Sequence, residues 1–153
     1  MGNLDNLKMD MVVAVVHSDQ RRIIYNPEKI LRGLEVFAEQ WYPHNIITLT
    51  QGGLELGKHH HDYSEVFFTP TGGFDFYVAD SEDFQQAYKF VLTSGSRVLL
   101  PENVDHVVIG SSGAVLMGYG NIEFDPKRLF PSSKEVLESL SRKAELPDIS
   151  TRD

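Results

Sequence analysis

Residues 57–68, GKHHHDYSEVFF, place three adjacent histidines just before a segment with the composition of a β-strand. The whole chain has 6 histidines, so half of them lie in this one tripeptide. Side chains on a strand alternate between two faces, so an unbroken strand here would turn His60 away from its neighbours. The side chains on the opposite face would be His59, His61, Tyr63, Glu65 and Phe67. The pattern therefore predicts that two imidazoles and a carboxylate converge.

The converging side chains have the chemistry of a metal site. A carboxylate in a partly dry cavity is costly unless a charge pairs with it, and a divalent cation would do so. His106 stands at the start of a predicted strand in PENVDHVVIG, with no evident structural reason to be histidine. We expect it to complete a ligand set of His59, His61, Glu65 and His106. Because the chain has no cysteine, thiolate ligands are excluded.

Composition limits the class of protein. A chain of 153 residues with 41% hydrophobic residues is the size of one domain with one core. The net charge is -8 and the 14 Lys and Arg residues are scattered, which argues against nucleic acid as a partner. The apolar run MVVAVV at 11–16 is too short to span a bilayer and follows acidic residues, unlike a signal peptide. We expect a cytoplasmic protein with no membrane partner.

The middle of the chain has the texture of a β-rich domain. Seven short apolar or alternating runs are separated by Gly, Pro, Asp and Ser: IITLT, EVFFT, FDFYVA, YKFVL, RVLLP, HVVIG and AVLMGY. Strands at this spacing predict a sandwich or barrel over about 45–124. No linker divides the chain, so 1–153 is predicted to be a single domain.

Two helices and an early strand are predicted outside this core. Apolar residues at helical spacing predict an N-terminal helix over about 27–41. Ser132 and Glu135 form a capping-box pattern, which predicts a C-terminal helix over about 132–144. The run MVVAVVH predicts a strand near the N-terminus. These elements supply more apolar surface than one small barrel needs, so we expect a homodimer.

A first motif resembles that of the cupin superfamily. The family motif is Gly, five residues, His-x-His, three or four residues, Glu, six residues and Gly. The chain meets every element of it, with Gly53, His59, His61, Glu65 and Gly72.

A second cupin motif is met in part. It is Gly, five residues, Pro-x-Gly, two residues, His, three residues and Asn, and Gly95, Pro101 and His106 match it. Asn103 replaces the turn glycine, and asparagine tolerates the left-handed conformation that such a glycine adopts. Gly110 replaces the final asparagine, which affects a turn contact and no ligand.

The resemblance implies a mainly β fold, a cupin jelly-roll or double-stranded β-helix barrel, here with a flanking helix at each end. It also implies a three-His, one-Glu metal site in the barrel mouth, formed by His59, His61, Glu65 and His106. The ion in such families is usually iron, manganese, zinc or nickel. Imidazole and carboxylate ligands suit several of these metals, so the ligand set does not choose among them.

Isomerisation or epimerisation of a sugar or related hydroxy-carbonyl compound is the favoured function. Residues 97–129 are similar in layout to the closing strands of sugar-nucleotide epimerase and ketoisomerase cupins. A metal at the four ligands would polarise a substrate carbonyl while a nearby base moves the proton. Many metal-free epimerases of this kind use a His-Asp base instead, and the intact ligand set argues against that subgroup.

Two other functions remain open from the sequence. An Fe(II)-dependent dioxygenase of a small molecule would use the same ligands and a more apolar cavity wall, for which Phe67, Phe68 and Phe76 are suited. A non-catalytic protein that binds a metal or small ligand is the other alternative.

Several further side chains have candidate roles. Tyr63 shares the ligand face as a catalytic acid, a substrate contact or an aromatic wall residue. Gln51 and Arg97 are weaker candidates for the cavity mouth. His60 is predicted to pack at a surface or interface. His17 and His44, outside the motifs, are assigned ordinary structural roles.

Overall fold

The structure, a computed structural model, describes residues 3–12 and 14–150. One five-stranded antiparallel sheet consists of β1 (Lys8–Met11), β4 (Tyr42–Thr48), β6 (Glu65–Thr71), β9 (Ser96–Leu100) and β11 (Val115–Gly120). Its strand order is β1-β9-β6-β11-β4. We call it the first sheet.

The second sheet is also five-stranded and antiparallel. It consists of β5 (Glu55–His61), β7 (Phe74–Asp80), β8 (Ala87–Leu92), β10 (Val104–Gly110) and β12 (Leu129–Pro131). Its strand order is β12-β5-β10-β7-β8. Each of the seven apolar runs that predicted strands overlaps a strand of one of the two sheets, so the mainly β prediction is confirmed. Closure of the sheets into a barrel stays a prediction.

The main core lies between the two sheets because strands alternate in polarity. In FDFYVAD of β7, Phe74 and Phe76 are buried whereas Asp75 between them is exposed. Phe76 stacks on Phe90 of β8 with ring centroids 4.9 Å apart, and Phe67 of the first sheet packs near Phe76. Burial of each such side chain contributes about 1.5–3 kcal/mol to stability.

The N-terminal segment covers the outer face of the first sheet. Val66 and Phe68 point out of β6, and they pack against Ile30 and Leu34. This is why β6 is apolar on both faces. Arg97 holds the segment in place, since its guanidinium bonds both carboxylate oxygens of Asp10, at 2.8 and 3.0 Å, and two backbone carbonyls.

The predicted helix over 27–41 is wrong beyond its first turn. Helix α1 (Pro27–Ile30) is capped by Asn26, and turns follow it. Gly33 has a φ of +86°, which a right-handed helix does not contain. Arg97 also donates to the carbonyls of Ile30 and Arg32, so these groups are satisfied by tertiary contacts instead of helical ones.

The predicted early strand is interrupted. β1 ends at Met11 in the first sheet, and β2 (Val15–Ser18) pairs with β3 (Ile23–Tyr25) in a separate two-stranded sheet. Val13 of the predicted run lies outside the described residues. The run therefore contributes to two sheets.

The C-terminal helix covers the outer face of the second sheet. Helix α2 (Lys134–Ser141) is shorter than the predicted 132–144, and its cap is Ser133, whose hydroxyl accepts from the Val136 backbone at 3.2 Å. Ser132 donates instead to Asp105, so the predicted capping box is wrong by one residue. Val136 and Leu140 pack on the sheet. No helix in the described part of the chain has both the length and the apolar character needed to cross a membrane.

Candidate active site

The histidine segment and the glutamate lie on different sheets. β5 ends at His61, residues 62–64 turn, and Glu65 begins β6 in the first sheet. The prediction of one unbroken strand over these residues was therefore wrong. Because both sheets present an inner face to the same cavity, Tyr63 and Glu65 still line it beside the histidines.

A bulge in β5 aligns the histidines across the sheet. His106 of β10 pairs with His59, whereas the next residue, Val107, pairs with Gly57, so Lys58 is the extra residue. Gly57 and Lys58 have φ values of 87° and 62°. A Cβ at Gly57 would lie 2.6 Å from the backbone oxygen of His106, so glycine is required for this approach.

Three histidines form a compact cluster in the cavity. Ligand nitrogens of His59, His61 and His106 all lie within 4.8 Å of one another. The ring centroids of His59 are 4.8 Å from His61 and 4.7 Å from His106. His61 and His106 are buried and His59 is half-buried.

Backbone carbonyls fix the orientation of two of these rings. His61 Nδ1 lies 3.3 Å from the carbonyl oxygen of Arg128, and His106 Nδ1 lies 3.3 Å from that of Val104. A carbonyl oxygen only accepts, so each Nδ1 carries the proton and each Nε2 is a free acceptor. Metal-binding histidines are commonly oriented in this way.

Burial holds the clustered histidines in their neutral form. It lowers the pKa of His61 to about 4 and that of His106 to about 3, with repulsion from His59 as the next cause in both. Burial also lowers the pKa of His59. At neutral pH the cluster therefore offers lone pairs and no charge.

Glu65 lies beside the cluster but is not part of the group of three. Its Oε1 is 3.3 Å from His61 Nε2, and burial raises the pKa of its carboxyl to about 8. With the pKa of Glu65 raised and that of His61 lowered, both partners are neutral near pH 7. The carboxyl proton of Glu65 then faces the free Nε2 of His61.

Tyr63 lies in the cavity wall, although the unbroken strand from which its position on the ligand face was predicted ends at His61. Its ring centroid is 4.7 Å from that of His61, and the guanidinium of Arg128 lies 5.8 Å from the ring centre. Burial, and then the carboxyl of Glu65, raise the pKa of Tyr63, so the phenol keeps its proton. Such a phenol can donate a proton or a hydrogen bond.

The cavity has a volume of about 150 Å³ and a largely apolar wall. The wall side chains other than the histidines, Tyr63 and Glu65 include Ile47, Leu56, Phe67, Val108, Leu116, Phe124 and Leu129. Of the three phenylalanines suggested for such a wall, Phe67 lines it. Phe76 lies in the main core, and Phe68 packs on the outer face of the first sheet.

His44 was expected to have an ordinary structural role, but it lines the cavity. It lies on β4, its Nε2 is 2.8 Å from the carbonyl of Ile122, and its ring meets Tyr63 edge-on at 5.6 Å. Its segment, YPHNIIT, has no motif to single it out. Only the long-range pairing of β4 with β11 brings it to the site.

Other candidates lie elsewhere. Arg97 is buried and binds Asp10 and the carbonyls of Ile30 and Arg32. Gln51 is exposed and does not line the cavity. His17 is exposed and contacts Asp19 at 2.9 Å. His60 faces away from the cluster, as predicted, but it contacts a buried carboxylate, that of Asp105, at 3.1 Å.

Comparison with solved structures identifies the fold. A 3,4-ketoisomerase from Helicobacter canadensis has a similar structure, with a TM-score of 0.63 and 17% sequence identity. The match covers 89% of this chain and 98% of the ketoisomerase. A sugar 3,4-ketoisomerase from Thermoanaerobacterium thermosaccharolyticum in complex with TDP is also similar, with a TM-score of 0.63 and 14% sequence identity. That match covers 91% of this chain and 98% of the ketoisomerase. The fold is that of a cupin.

An epimerase shares the same cupin fold. The dTDP-4-dehydrorhamnose 3,5-epimerase from Bacillus anthracis, with TDP and PPi bound, matches 84% of this chain over 79% of its own. The TM-score is 0.63 and the identity 15%. No protein-family model matches the sequence, and no curated protein matches it. The predicted resemblance to cupins of the sugar-nucleotide epimerase and ketoisomerase type is thus confirmed at the level of fold.

Proposed function

We propose that this cupin is a metal-dependent enzyme that isomerises or epimerises a sugar or related hydroxy-carbonyl molecule. The observation that carries the proposal is the cluster of His59, His61 and His106 in a cavity that also contains a protonated phenol, that of Tyr63. The fold shared with ketoisomerases and an epimerase supports the reaction class.

The donor set fits a divalent transition metal. The three imidazoles are held neutral, two have Nε2 free, and their ligand atoms are mutually close. Together with Glu65 as an anionic fourth ligand, they would hold iron, manganese, zinc or nickel. Such an ion supplies polarisation of a substrate carbonyl. The burial cost of an ionised Glu65 would be offset by the positive charge.

Two side chains at the cavity wall are placed to move protons. Tyr63 keeps its proton and can donate it to the carbonyl oxygen of a substrate. His44 has Nε2 directed at the Ile122 carbonyl, which leaves Nδ1 as a proton acceptor. We assign it as the base that takes the proton from the carbon next to the carbonyl. Isomerisation is completed when His44 delivers its proton to the former carbonyl carbon and the neighbouring hydroxyl, which becomes the new carbonyl, returns a proton to Tyr63. Epimerisation would instead require a proton from solvent on the opposite face of the original carbon, with the enol hydroxyl returning its proton to Tyr63.

Deuterium incorporation tests this proposal directly. Protein loaded with each metal in turn is incubated in D₂O with a panel of ketoses and aldoses, and NMR follows the C–H signal next to the carbonyl. Metal-dependent loss of that signal is expected for the substrate. Absence of exchange across the panel with full metal occupancy would contradict isomerisation.

A dioxygenase is the second candidate, favoured by one observation. The wall of the cavity is mostly apolar, as a dioxygenase of an apolar small molecule would require. Oxygen uptake by the Fe(II)-loaded protein, with no deuterium incorporation, would support this candidate. Metal binding with neither activity would support a non-catalytic role.

The proposal includes a homodimer. Four apolar residues of the two-stranded sheet of β2 and β3 are exposed. The exposed fractions of Val15, Val16, Ile23 and Ile24 are 43%, 61%, 51% and 38%. A two-stranded sheet alone is marginally stable in water, so a second copy of the chain packed on these side chains would stabilise it.

A further inference from the structure

The charge of the cavity wall limits the substrates that the proposed function can use. None of the described residues that line the cavity is lysine or arginine, and Glu65 supplies an acid. Proteins hold phosphate groups with arginine, lysine or the free N–H groups of helix N-termini. The wall offers none of these to a diphosphate.

The loop at the rim of the cavity does not supply the positive charge that a diphosphate would need. Phe124 and Leu129 line the cavity, so the loop 121–128 borders its mouth. That loop carries two acids, Glu123 and Asp125, and two bases, Lys127 and Arg128. Arg128 is paired with a third acid, since its Nε lies 2.7 Å from Oδ1 of Asp62. The loop 121–128, with its partner Asp62, therefore brings no excess of positive charge to the rim.

The size of the cavity also argues against a nucleotide as the bound group. A dry cavity of about 150 Å³ holds a molecule such as benzene, and pockets for drug-sized ligands span about 300–1,000 Å³. This cavity has a volume of about 150 Å³. It would hold a single small ring, and a nucleotide would have to lie across the rim.

We infer that the cavity takes an uncharged hydroxy-carbonyl molecule of the size of one ring, without phosphate or nucleotide. This rests on the proposed function for the identity of the reacting group. It separates the chain from the fold relatives whose structures contain TDP.

Matched pairs of probes test the inference. D-fructose is compared with D-fructose 6-phosphate, dihydroxyacetone with dihydroxyacetone phosphate, and D-glucose with TDP-glucose. Binding to the metal-loaded protein is measured by saturation-transfer NMR at low and high salt. In each pair we expect the neutral member to bind more tightly, by about tenfold or more.

A charge placed at the mouth should reverse the preference. Phe124→Arg puts a guanidinium on the rim, and Ile46→Arg puts the same charge on β4 outside the cavity, where Ile46 is 68% exposed. We expect salt-sensitive binding of the phosphorylated probes to Phe124→Arg, with the Ile46→Arg control unchanged from the parent protein.

Tighter binding of an anionic member of any pair by the parent protein would overturn the inference. Failure of every neutral probe to bind at millimolar concentration would also overturn it. The proposed function is tested separately by deuterium incorporation. A neutral probe that binds without exchange therefore contradicts the function and leaves the substrate class standing.

Discussion

Nδ1 of His60 lies 3.1 Å from Oδ1 of Asp105, on the face of the sheet opposite the three clustered histidines. Asp105 is 1% exposed and also accepts a hydrogen bond from Ser132. His60 in turn stacks on Phe130 of β12, with ring centroids 5.4 Å apart. The central histidine thus ties β5, β10 and β12 together behind the site.

The first prediction concerns His60→Ala. The variant should bind the same amount of metal as the parent, because the side chain faces away from the cavity. It should nevertheless lose about 1–3 kcal/mol of stability, because the buried carboxylate of Asp105 loses a partner. Denaturant unfolding and metal analysis give the two readouts. His17→Ala, at an exposed histidine that also contacts an aspartate, is the matched control and should have little effect.

The second prediction concerns the ligand set. His59→Ala, His61→Ala and His106→Ala should each lower metal content and reduce the thermal stabilisation that metal gives. Glu65→Gln should weaken affinity, since an amide is a poorer ligand than a carboxylate. Metal stoichiometry at equal protein concentration is the measurement, on protein purified without nickel affinity. Loss of metal from His60→Ala, with retention in His59→Ala and His61→Ala, would contradict this assignment.

Local patterns predicted much of the site. Alternation along β5 placed His59 and His61 on one face, and spacing in the second cupin motif pointed to His106. Asn103 was expected to replace a left-handed glycine, and its φ is 59°. These features depend on residues close in sequence or on a motif with fixed spacing.

Features set by distant contacts could not be predicted in the same way. The helix over 27–41 stops early partly because Arg97, far along the chain, takes its carbonyls. His44 reaches the cavity only through the pairing of β4 with β11. Strand alternation likewise could not predict that the chain passes from one sheet to the other between His61 and Glu65.

The third prediction concerns the pH dependence of stability without metal. The pKa of Glu65 is about 8 in the folded protein, against 4.5 for an unperturbed carboxyl. The folded state therefore holds a proton that the unfolded chain has lost, and stability should fall as pH rises towards 8. The lowered pKa of His61, about 4 against 6.5 for an unperturbed histidine, makes stability rise with pH, but only below pH 6.5.

Melting temperatures of the chelated protein between pH 6.5 and 8 test this expectation. The parent should become less stable across that range, and Glu65→Gln should not. Metal binding near pH 7 should also release a proton in the parent, because the bound form requires the Glu65 anion. Equal pH dependence in the two proteins would show that the Glu65 carboxyl is already ionised.

The fourth prediction concerns Tyr63→Phe. If the phenol donates a proton to the substrate, kcat should fall by about 10²–10⁴ while metal content stays unchanged. Tyr119→Phe is the matched control, because Tyr119 is also buried but packs outside the cavity. Deuterium incorporation and metal analysis on both variants separate the acid role from a wall role. A fall in rate of the same size in Tyr119→Phe would assign the effect to packing.

The fifth prediction concerns assembly through the sheet of β2 and β3. Light scattering at micromolar concentration should give the mass of two chains, because the valines and isoleucines of this sheet expose apolar side chains that a second copy would bury. Ile23→Lys should yield a monomer, since a lysine buried between two copies would be desolvated without a partner. Val36→Lys introduces the same charge at a side chain that is 82% exposed and belongs to neither β2 nor β3, so this variant should remain dimeric. A monomeric parent protein would refute the dimer, and a dimeric Ile23→Lys variant would place the contact on another surface.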